Sequence, residues 1–140
     1  MANLSGSPQA FVGNTSAVDT SQLEKLVKRA YDESGNEYVY LTGITSTAAG
    51  TWVTFNYSTG TTAVLTANAV GPVSIAMAAV DANTSYGWYQ IFGRNTVAKT
   101  DTISANKALF IDGTDGRVDD LGVSGDMVVV AMSLNADTSN

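Results

Sequence analysis

The sequence predicts a mainly β fold: a compact antiparallel β-barrel or sandwich of short strands, with an extended N-terminal arm and one short helix. Three observations predict it. Thirteen glycines punctuate a 140-residue chain rich in Thr, Val and Ala, a mixture that suits short strands joined by tight turns. Apolar residues make up 44% and charged residues only 14%, against about 25% charged in an average globular protein, so the chain has material for a core. Its longest apolar runs, 75–80 and 127–132, are six residues each, far short of the roughly 20 that a membrane-spanning helix needs. The length fits one domain, with residues 1–20 as the arm and 21–140 as the β-rich body.

The elements follow in chain order. The arm is small and polar, with Phe11 and Val12 its only sizeable apolar neighbours; it reads as a frayed terminus or as a segment that orders against a partner. Leu23, Leu26, Val27, Ala30 and Tyr31 then keep a helical spacing, and Ser21 and Glu24 stand at capping-box distance. This predicts a helix over 21–28. The chain from there to Glu37 equally suits a hairpin turning at Ser34-Gly35-Asn36. Strands are expected at 37–42, stopping at Gly43, and at 51–57 after the turn Ala48-Ala49-Gly50. Trp52 and Val53 are adjacent, which implies that both faces of that strand are covered. A shorter strand is expected at 62–66. Residues 73–80 are apolar throughout, as in a strand buried on both faces, and Gly71-Pro72 marks the turn before them. A strand over 86–92 ends at Gly93 and is expected to pair with 95–100 as a hairpin. Strands at 108–111, 117–119 and 127–134 complete the set, and no repeat of 20–50 residues is apparent.

The chain has no His and no Cys. Ser-His-Asp and Cys-His nucleophiles, thiol redox centres, disulfide frameworks and His- or Cys-ligated zinc or iron therefore lack their chemistry. A net charge of -6 argues against non-specific nucleic-acid binding, which depends on Lys and Arg neutralising phosphates. Of the seven basic residues, Lys25, Lys28 and Arg29 crowd into one stretch, either a solvated face or a patch that meets an acidic partner. The N-terminus has no basic and apolar leader pattern, so synthesis in the cytoplasm is expected. Four carboxylates between Asp112 and Asp120 suggest calcium, but the spacing is not that of an EF-hand, and the two Asp-Gly pairs suit a tight hairpin. No phosphate loop, dinucleotide fingerprint or nucleophile elbow occurs. The aromatics around Trp52 and Trp88-Tyr89 read as core or subunit contacts, or else as a platform for bases or sugars.

The order of phrases carries more than any one of them. Gly35-Asn36-Glu37-Tyr38-Val39-Tyr40-Leu41-Thr42-Gly43 is followed by Trp52-Val53-Thr54-Phe55 and by Ala69-Val70-Gly71-Pro72-Val73-Ser74-Ile75-Ala76-Met77. Next stand Tyr86-Gly87-Trp88-Tyr89-Gln90-Ile91-Phe92-Gly93 and Leu109-Phe110-Ile111-Asp112-Gly113-Thr114-Asp115-Gly116-Arg117-Val118. Gly125-Asp126-Met127-Val128-Val129-Val130-Ala131-Met132 closes the series. Over roughly residues 28–134 the chain resembles small tailed-bacteriophage head proteins that decorate or cement the capsid. The resemblance implies a β-barrel-like module without catalytic activity, metal or cofactor. It would bind the outer surface of the major capsid protein lattice, as a homotrimer at or near three-fold positions, and stabilise the head. It implies no direct contact with nucleic acid or membrane.

Low charge density suits such a role, because few ionic groups are desolvated when a broad surface is covered. Many modest contacts repeated over a shell add up through avidity. The contact candidates are Phe11, Val12, Leu23, Lys25, Leu26, Lys28 and Arg29. An alternative is a receptor- or carbohydrate-binding head-fibre or tail-fibre module, with Trp88-Tyr89 or Trp52 as its binding face. A small hydrolase built on Asp112, Asp115, Asp119 or Asp120 is a remote third reading.

Overall fold

The computed structural model describes residues 13–138. Ten strands follow one another: β1 (Val18–Asp19), β2 (Arg29–Tyr31), β3 (Glu37–Thr42), β4 (Trp52–Phe55), β5 (Thr62–Val64), β6 (Val73–Ala76), β7 (Tyr86–Phe92), β8 (Ala108–Ile111), β9 (Val118–Asp119) and β10 (Met127–Met132). They form two antiparallel sheets. Sheet A runs β2-β3-β7-β6-β4-β5, with β1 added against the start of β7, and sheet B runs β10-β8-β9.

The longest ladder joins β3 to β7, from Glu37 opposite Phe92 to Thr42 opposite Tyr86. Its residues are aromatic and β-branched, and they pair across the strands: Tyr40 meets the Trp88 ring edge-on at 5.2 Å and stacks on Tyr86 at 6.3 Å. The β2–β3 hairpin turns on Asp32. Its carboxylate accepts the backbone N–H of Ser34 and Asn36, the Asn36 side-chain amide and the Tyr38 hydroxyl, at 2.7–3.0 Å, while Gly35 supplies the positive φ.

Two hydrophobic clusters lie on opposite faces of sheet A. One gathers Val39, Leu41, Val53, Phe55, Ala76, Val80 and Tyr89. The other gathers Trp52, Leu65 and Ile75 with Leu109, Ile111, Val118 and Val128 from sheet B. Strands β4 and β6 therefore contribute to both clusters, Trp52 and Ile75 to one and Val53 and Ala76 to the other, as the unbroken apolar runs imply.

Three expectations need correction. Residues 21–28 form no helix, and no helix occurs among the described residues. Val27 stands at φ 65°; its N–H donates to the Tyr40 carbonyl at 2.8 Å, and the Lys28 carbonyl accepts from the Tyr40 N–H at 2.9 Å. Pairing with β3 has taken the backbone groups that a helix would use. Residues 95–100 are not a strand either. Asn95 Oδ1 accepts from the N–H groups of Val97 and Ala98, so an Asx turn replaces the ladder, and only Thr100 makes a bridge, to Val118. The strand expected over 73–80 stops at Ala76, and the chain kinks where the Val80 N–H turns back to the Ala78 carbonyl.

Sheet A curls without closing into a barrel. Leu26 packs on Gly60, and the Arg29 guanidinium reaches the Tyr57 hydroxyl at 3.3 Å, yet no ladder joins β2 to β5.

Candidate interaction surfaces

The expected contact residues fall into two groups. Phe11 and Val12 lie outside the described residues. The other five lie along the approach to β2 and on β2 itself. Leu23 is 69% exposed, Lys25 is exposed and Leu26 is half-buried. Lys28 is held by Glu24 at 2.6 Å, and Arg29 by Glu37 at 2.8 Å across the hairpin. Two of the three clustered cations are thus neutralised within the fold, which leaves Lys25 and Leu23 as the more outward members. Beside this region the Tyr40 hydroxyl of β3 donates to Asp19 of β1 at 2.6 Å, and burial together with that carboxylate pushes the phenol up to about 12.

Three of the four carboxylates of the Asp112–Asp120 stretch cap loops. Asp112 accepts from the Thr114 N–H, Asp119 from the Leu121 N–H and Asp120 from the Ser104 N–H, at 2.8–3.0 Å. Among the described residues no group of three or more acids is placed to hold a metal ion.

The aromatics proposed as a sugar platform face inward. Tyr89 is fully buried and Trp52 nearly so, and the Trp52 indole N–H donates to the Lys99 carbonyl at 3.0 Å. Trp88 is half-buried against Tyr40. Among the described residues the exposed rings are Tyr57, 53% accessible, and Phe92, 67% accessible. Phe92 lies at an open cleft of about 710 Å³ that Asn36, Tyr38, Gln90 and Arg94 also line. Most of the polar groups there are already engaged: Gln90 bonds the Phe92 and Arg94 carbonyls and Asn95, and Asn36 accepts the Arg94 N–H.

The largest set of exposed apolar side chains went unnoticed in the sequence. Met127, Val129, Met132 and Leu134 project from β10 and its continuation, and Leu121 and Val123 from the loop before it. Val128 points the other way into the core, as strand alternation requires. Met127 pairs with Phe110 of β8, whose ring lies beneath Gly122. The charge of this part of the chain is lopsided. Seven aspartates from Asp101 onward, against Lys107 and Arg117, leave residues 101–140 at -5 of the chain's -6. The available signal was that 127–134 is apolar at every position but Ser133, more than a single buried face can absorb.

Comparison with family models, curated proteins and solved structures finds no match to this chain.

Proposed function

We propose that this protein is a structural component of a bacteriophage virion, a capsid decoration or cement protein. In this reading it is made in the host bacterial cytoplasm and binds the outer surface of the major capsid protein lattice. It acts as a homotrimer at or near three-fold positions and holds the head together against the pressure of the packaged genome. It performs no catalysis and needs no cofactor. Its build is sandwich-like, sheet B stacked on part of sheet A. The observation that carries the reading is the apolar outer side of sheet B, where Val129 is 77% exposed. Exposed apolar side chains gathered along one strand in this way suit a protein that adheres to a partner. The resemblance in phrase order supplies the kind of partner.

The test adds the purified chain to shells that lack it. Binding and a higher shell-disruption temperature are expected; a chain that does neither is not a cement protein. One observation favours the alternative of a receptor- or carbohydrate-binding fibre module, namely the exposed Phe92 ring and Arg94 at the 710 Å³ cleft. Glycan binding at micromolar protein, lost in Phe92→Ala and without affinity for shells, would decide for it.

A further inference from the structure

Strand β10 has β8 on one side and no strand on the other among the described residues. Its six residues carry no charge and no proline, two of the devices by which natural sheets protect an exposed edge, although its register against β8 shifts between Met127 and Met132. On the far side of sheet B the situation differs. Strand β9 is flanked beyond β8 by residues 99–101: the Val118 N–H donates to the Lys99 carbonyl and the Val118 carbonyl accepts from the Asp101 N–H. One edge of the sheet is sealed and the other is open.

We propose that β10 is a docking edge for an extended segment of a partner chain, apolar at alternate positions and flanked by Lys or Arg. The inference deepens the adhesive reading above and rests on it. An added strand supplies backbone partners to the open edge, and its alternate side chains meet Met127 and Val129 on the stretch before the register shift. Charge selects the partner. The part of the chain that holds sheet B carries -5 of the total -6, so a second copy brought edge to edge would set two acidic bodies against each other, whereas basic flanks would be drawn in. The backbone of Lys107 meets Ser133 just past the end of β10, so a cation of this part of the chain stands beside the strand's end.

The full chain is titrated with a nine-residue peptide that alternates valine and threonine between paired lysines, and with the same peptide carrying paired glutamates. The lysine peptide is expected to bind about tenfold more tightly at low salt, with the difference shrinking in high salt. Amide exchange should slow within β10. Val129→Lys, at a site too exposed to disturb the fold, should weaken binding about fivefold with Tm unchanged. Equal affinity for the two peptides, protection elsewhere than β10, or self-association that Val129→Lys abolishes would each overturn the assignment. Shells separate the two levels of the argument. If Val129→Lys binds them as the unaltered chain does, the edge fails and the capsid reading stands. If the unaltered chain ignores shells but takes the lysine peptide on β10, the edge stands and the capsid reading fails.

Discussion

Asp119 is 7% exposed, and burial pushes its carboxyl above the ordinary carboxylate range. The Leu121 N–H opposes that shift, while Asp112, Asp120 and Asp101 reinforce it. A native state that binds the proton more tightly than the unfolded chain is penalised at neutral pH and relieved as acid protonates the group. Asp119→Asn keeps an oxygen for the Leu121 N–H and removes the charge. It is therefore expected to raise Tm by a few degrees at pH 7. The gain should shrink as the pH falls through the raised pKa, where wild type takes up its own proton. Thermal melts from pH 7 to pH 3 check this, and a constant gain across that range would rule out the electrostatic cause. Asp32 runs the other way. The Asn36 side-chain amide, followed by the Tyr38 hydroxyl and two backbone N–H groups, lowers its pKa against the opposing effect of burial, so its contribution to the hairpin is present at neutral pH and lost in acid.

At the scale of elements, Gly50 shows how a turn ties pieces together. It stands at φ 85°, its N–H donates to the Ala76 carbonyl at 2.7 Å, and its carbonyl accepts from the Lys99 N–H at 2.8 Å. A Cβ placed there would lie 1.9 Å from the Val97 carbonyl oxygen. Gly50→Ala combines a left-handed backbone penalty with a clash against main chain and is expected to cost about 3 kcal/mol. Urea unfolding measures this, and a loss under about 0.5 kcal/mol would mean that the 97–99 loop yields freely. Gly50 was read correctly as a turn residue because turn chemistry is local. The double-sided burial of β4 and β6 was equally legible, since adjacent Trp52 and Val53 cannot share a face. The helix over 21–28 was not. Five apolar positions at helical spacing carry no information about the Tyr40 backbone, which captured Val27 and Lys28 from twelve or more residues away. For the candidate contacts, the Glu24–Lys28 pairing was visible as an i, i+4 spacing, whereas Arg29 meeting Glu37 depended on the hairpin register. The outer face of sheet B was hidden because sequence does not say which side of an all-apolar strand another sheet will cover.

Across the whole molecule, the two cores are joined by shared strands, so they should fail together. Trp52 and Val53 are neighbours on one strand yet serve opposite clusters. The Trp52 N–H also donates to the Gly116 carbonyl, its carbonyl accepts the Leu65 N–H, and Asn68 donates its N–H to the Asp126 carboxylate at 2.6 Å. Removing side-chain volume from the sheet B core must then loosen sheet A through β4. Ile111→Ala, in that core, is expected to cost about 2–4 kcal/mol. The experiment uses a Trp52→Phe background, in which Trp88 of β7 is the remaining tryptophan of the two and reports on sheet A. In that background, Ile111→Ala should shift the fluorescence midpoint and the far-ultraviolet circular dichroism midpoint by equal amounts. If the Trp88 signal instead keeps its parent midpoint while the dichroism drops early, sheet B melts alone and the shared strands do not couple the cores. The proposed adhesive role would draw on that coupling, because a load applied to the outer face of sheet B would reach the rest of the chain through β4 and β6.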